Sequence, residues 1–89
     1  MHTGRIRTVI RDKRFEQEMA RILPSVKRAD GFLEGAERVL SRQPEEGWQL
    51  DQSNVWFLSG YKIGIVIYYT FDDDYVYFLS AQKIDLPEL

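Results

Sequence analysis

The hydrophobic period of this chain changes once, at Pro44–Gly47, and that change dictates a mixed fold. Up to residue 42 the apolar residues recur at helical spacing. Phe15, Met19, Ile22 and Leu23 form one stripe, and Val26, Ala29, Phe32, Leu33, Ala36, Val39 and Leu40 form a second. From residue 48 onward the period falls to two, the signature of strands. Val55–Leu58 is a short apolar run, and Ser59–Lys62 reads as a hairpin connection. Ile63, Ile65, Ile67, Tyr69 and Phe71 alternate with Lys62, Gly64, Val66, Tyr68 and Thr70. That strand is apolar on both faces, which predicts a central place in a sheet. Asp72–Asp74 makes a turn, and Tyr75–Ala81 returns beside it.

Local signals set the remaining boundaries. Arg5–Arg11 also reads as a strand, with Ile6 and Ile10 on one face and Arg5, Arg7 and Arg11 on the other. Asp12 suits a helix N-cap, Pro24 ends that helix, and Ser25 suits the cap of the next. Gly31 and Gly35, four apart, are expected to form a smooth strip where the two helices approach. Pro87 stops the last strand short of the terminus, and His2 reads as a mobile terminal residue. Two helices with one apolar stripe each are buried most economically as a hairpin on one side of a sheet. The expected fold is therefore α+β, in the order βααβββ. The two-helix hairpin packs on one face of a four-stranded, mainly antiparallel sheet, as a single domain over residues 1–89. The expected strand order is 1-4-3-2 or a close relative.

Composition excludes several chemistries. The 89 residues contain no cysteine and one histidine, which removes disulfides, thiolate zinc sites and histidine-based triads. No cofactor and no metal is expected: Asp72–Asp74 reads as a solvated turn and Glu45–Glu46 as a loop feature. No apolar run approaches the roughly 20 residues that span a bilayer. The N-terminus lacks the apolar core of a secretory leader, so a cytoplasmic protein with no membrane association is expected. The net charge of −2 conceals an asymmetry, because residues 1–42 hold ten Lys/Arg against six Asp/Glu and residues 43–89 hold two against eight. A sheet face carrying the arginines of the opening strand together with tyrosines and the lone lysines Lys62 and Lys83 is a platform suited to RNA phosphates and bases. That expectation requires the arginines to point away from the helices.

The order of these elements resembles the RelE/ParE superfamily of toxins from bacterial type II toxin–antitoxin systems. The resemblance rests on RTVIRDKRFEQEMARIL, FLEGAERVLSRQPEEG, NVWFL and IVIYYTFDDDYVYFLSAQK, and covers roughly residues 5–84. It implies a toxin held in a hetero-oligomer by a cognate antitoxin. The cellular target it implies is either the ribosome with its mRNA, cut in the A site by an endoribonuclease, or gyrase, bound without cleavage. It also suggests roles for single residues. Lys83 matches a basic residue that follows the last strand in the family, and Lys62 stands near the end of the third strand. These two are the candidate catalytic cations. Arg5, Arg7, Arg11, Tyr77 and Gln82 are the candidate RNA-binding residues. The chain departs from the family pattern at three places. Val66 stands where an arginine is expected, Gln82 where a histidine is common, and the Leu86 stretch lacks a late tyrosine. A member of the fold that has lost catalysis and serves as a protein-binding module is the alternative the same resemblance allows.

Overall fold

The computed structural model describes residues 5–84. The elements are β1 (Thr8–Arg11), α1 (Lys13–Ile22), α2 (Ala29–Arg42), a 3-10 turn (Pro44–Glu46), β2 (Trp48–Gln49), β3 (Trp56–Gly60), β4 (Ile65–Phe71) and β5 (Tyr75–Lys83). The class is α+β, as the change of period predicts. The sheet has five strands rather than four, in the order β1-β5-β4-β3-β2. The additional strand is the two-residue β2, whose Trp48 and Gln49 pair with Phe57 and Trp56. Without β2 the order is the expected 1-4-3-2. The sheet is mixed, because β1 runs parallel to β5 while every other pair is antiparallel. His2 and Pro87 lie outside the described residues.

The core is one cluster beneath the helices. Phe15, Met19 and Ile22 of α1 and Ala29, Leu33, Ala36 and Leu40 of α2 meet Ile65, Ile67 and Tyr69 of β4 and Val76, Phe78 and Ala81 of β5. Asp12 caps α1 as expected, its carboxylate accepting from the Arg14 backbone N–H at 3.1 Å. Four expectations about the helices need correction. Leu23 and Val39, placed on the buried stripes, are each 40% exposed. Ser25 does not cap α2: its hydroxyl donates to the Ile22 carbonyl, and the N-cap is Arg28, in the left-handed region at φ 69°. Nothing approaches within 4 Å of a side chain built at Gly31 or Gly35, so neither glycine serves a close helix–helix approach.

A bulge between β4 and β5 pairs Tyr68 with Ser80 but Tyr69 with Phe78, leaving Leu79 over. The extra residue switches the inward parity of β5, so Ala81 on one side of it and Phe78 and Val76 on the other all reach the core. Next to the bulge, Glu18 of α1 accepts from the Ala81 N–H at 3.0 Å, tying helix to strand.

Tyr69 fixes the chain where its period changes. The ring is fully buried, and its hydroxyl donates to the Pro44 carbonyl in the turn that ends the helical half. Burial is the main cause that pushes the Tyr69 hydroxyl up to about 12; the Gly47 backbone opposes it, and the Glu45 and Glu46 carboxylates add smaller upward contributions. A proton held more tightly in the folded state stabilises the fold in full below about pH 10, the ordinary tyrosine value, and ceases to do so as pH rises toward 12. We expect about 2–3 kcal/mol of stability to be lost across that window. Urea unfolding at pH 8, 10 and 11.5 measures it. Tyr69→Phe should be less stable at pH 8 but show a shallower alkaline decline than the parent; equal slopes would remove Tyr69 as the cause.

Candidate functional site

β1 is the first place where the expected site must be redrawn. Its register sets Val9 beside Val76 and Arg11 beside Phe78, so these residues share the helix-covered side. Val9 packs against the core, whereas Ile6 and Ile10 are 63% and 40% exposed. The strand is thus offset by one residue from the expected facing, which exchanges its two faces. The physical reason lies at the rim of the helical layer. A long arginine side chain there reaches an acidic or carbonyl partner, while valine fills the narrow space over β5. Arg11 Nε donates to Glu37 of α2 at 2.9 Å, and that bond chiefly holds its guanidinium charged beyond the usual arginine range. Arg7 Nε donates to the Asp72 carbonyl at 2.7 Å, and its guanidinium lies 5.8 Å from the Phe71 ring centroid. Arg5 pairs with Asp74 at 2.7 Å. The cationic RNA platform expected on the uncovered face is therefore not formed by these arginines.

What that face carries is aromatic and neutral. Cross-strand pairing runs from Trp48 through Phe57 to Tyr68 and Ser80, and a second row joins Thr70, Tyr77 and Ile10. Trp48 is 69% exposed. Tyr77 lies on this face as expected, its ring 5.8 Å from that of Tyr75 and its hydroxyl donating to Asp72 at 3.2 Å. Burial and the facing Asp72 carboxylate raise the Tyr77 hydroxyl above its usual range. Asp72 also accepts the backbone N–H groups of Asp74 and Tyr75, and these bonds hold its carboxyl below the usual carboxylate range. Its oxygens are thus used to close the turn. Gln82 pairs with Val66 at the other end of the same face, so the position where the resemblance asks for arginine is occupied by an apolar side chain.

The two candidate catalytic cations lie elsewhere. Lys83 pairs with the inward-facing Ile65, which turns it away from Gln82. It lines a cleft of about 350 Å³ together with Lys62, and the structure adds Lys27 and Arg28, which the sequence reading missed. The four come from three separated segments: the α1–α2 connection, the β3–β4 turn and the end of β5. Backbone bonds hold two of these segments together, with Ile84 N–H donating to the Gly64 carbonyl at 2.8 Å and Gly64 N–H to the Gly60 carbonyl at 2.8 Å. Gly64 makes this turn at φ 91°, a conformation that favours glycine. The signal for Lys27 and Arg28 was present as adjacent cations directly after Pro24-Ser25, but nothing local connects that turn to Lys62, 34 positions further on.

The expected site residues are thus divided among three places. Arg5, Arg7 and Arg11 are bound at the β1 rim, Tyr77 and Gln82 lie on the open face, and Lys62 and Lys83 lie in the cleft. Neither a histidine nor a carboxylate lines the cleft among the described residues. Among the described residues, no helix is long and apolar enough to cross a membrane. No family model matches this chain, and neither a curated protein nor a solved structure does.

Proposed function

We propose that this chain is a cytoplasmic toxin of RelE/ParE type, held by a cognate antitoxin, that inhibits growth without cleaving RNA. The layout supports the family reading: a helical hairpin covers one side of a sheet whose four main strands stand in the order 1-4-3-2. The observation that carries the absence of cleavage is the pair Val66 and Gln82 on the uncovered face. RNA cleavage requires positive charge on the phosphorane and groups that move protons at the 2′- and 5′-oxygens. Valine and glutamine supply neither. The loss of one such charge-stabilising donor costs about 3–4 kcal/mol of barrier. Lys62 and Lys83 do not restore it, because they lie in a cleft reached from the other side of the sheet.

Two measurements test this reading. Expression of the chain without a partner should arrest growth. Incubation of the purified protein with ribosomes and mRNA, followed by mapping of the 5′ ends, should reveal no new ends. Codon-phased cuts in the A site would overturn it in favour of an active ribonuclease. Unimpeded growth would favour the non-toxic binding module, a reading supported by the row of exposed Trp48 and half-buried Phe57 and Tyr68, which offers a neutral surface for a protein.

A further inference from the structure

We propose that the cleft between the α1–α2 connection and the ends of β4 and β5 binds a nucleotide-sized phosphate ester. The inference is independent of the toxin reading. Lys27, Arg28, Lys62 and Lys83 converge there, in a chain whose net charge is −2. Like charges brought together repel. Elsewhere three cations are ion-paired: Arg5 with Asp74, Arg11 with Glu37 and Arg14 with Glu18. None of the four cleft cations forms an ion pair among the described residues. Asp30 lies near Arg28 but borders the neighbouring grooves, and its carboxylate accepts the Gly31 N–H. Among the described residues, no carboxylate lines the cleft beside these four cations.

The shape and floor of the cleft narrow the class. Val26 is 8% exposed, and Ile63 packs against the core, so an apolar floor lies beneath the cationic rim. Ile84 extends that floor. A bare inorganic anion has no use for such a floor, whereas the base and sugar of a nucleotide cover it. The volume of about 350 Å³ lies at the lower end of the range for small-ligand sites. The Ile84–Gly64 and Gly64–Gly60 backbone bonds preorganise the side of the rim that carries Lys62 and Lys83, which lowers the ordering cost of binding. The lining offers charge and a surface but no general base, so the function assigned to the cleft is binding and not turnover.

Isothermal titration of the full chain at low salt, with ADP, pyrophosphate and adenosine as probes, tests the assignment. ADP should bind saturably with a Kd below about 1 mM. Pyrophosphate should bind more weakly and adenosine not measurably. The Lys62→Ala/Lys83→Ala variant should lose at least about tenfold in affinity for ADP. Both side chains are solvent-exposed, so its thermal midpoint should match the parent's. Arg38→Ala/Arg42→Ala removes the same charge from the far end of α2 and should bind ADP as the parent does. The proposal is overturned by no saturable ADP binding at 5 mM, by unchanged affinity in the folded Lys62/Lys83 variant, by equal loss in the Arg38/Arg42 variant, or by pyrophosphate binding as tightly as ADP.

Discussion

Gly47→Ala is expected to lower the thermal midpoint by roughly 15–30 °C. Gly47 has an ordinary φ of −80°, so the penalty is steric and not conformational. A methyl group there would stand 2.5 Å from the Phe57 carbonyl oxygen and would also collide with the Tyr69 hydroxyl. The first obstacle is backbone of β3 and the second is a fully buried ring, so neither yields cheaply. Overpacking of this kind costs about 1–3 kcal/mol. Moving Tyr69 aside also breaks its hydroxyl's bond to the Pro44 carbonyl and leaves a buried acceptor unpaired, for about 1–3 kcal/mol more. A domain of this size has only about 4–13 kcal/mol in total. Tyr69→Phe separates the two contributions. In that background Gly47→Ala should still destabilise, because the Phe57 carbonyl remains, but by less than in the parent. Full additivity of the two substitutions would mean that the hydroxyl and the methyl group do not compete for the same space.

The same residues mark how far the sequence could be read. β4 and β5 were legible because their alternation is long and their apolar residues numerous, so that only one facing buries Ile65, Ile67 and Tyr69 together. The short β1 was not. Ile6, Val9 and Ile10 offer two facings of similar hydrophobicity, and an edge strand of four residues contributes too little burial to decide locally. The decision is made by β5, through the Val9–Val76 register, and by Glu37, 26 positions from Arg11. That single offset moved three candidate RNA-binding arginines off the open face. Tyr77 and Gln82 stayed on it because they sit on opposite sides of the bulge, whose extra residue no local rule announces. β2 escaped notice for a simpler reason: two residues carry no period at all. The cleft was half legible. Lys62 and Lys83 stood out as the only cations after residue 43, while Lys27 and Arg28 joined them through tertiary folding alone.

Phe15→Ala is expected to cost about 3–5 kcal/mol, the range for truncating a buried aromatic residue. Phe15 is fully buried in the first turn of a ten-residue helix, and its ring meets Phe78 edge-on, with centroids 5.2 Å apart and planes at 62°. Phe78 in turn lies 6.5 Å from Tyr69, so the three rings form a continuous column from α1 through β5 to β4. The position of β5 makes this column decisive. It pairs with β1 on one side and β4 on the other, so every strand beyond it depends on its staying flat against the helices. Few other side chains of α1 are available to compensate, since Met19 and Ile22 are its only other buried residues. Urea unfolding monitored by circular dichroism measures the loss. Phe15→Leu, which keeps most of the volume, should cost less than half as much. A cost below about 1.5 kcal/mol for Phe15→Ala would mean that α1 is held to the sheet chiefly by its polar ties, above all Glu18 to the Ala81 N–H, and not by the aromatic column.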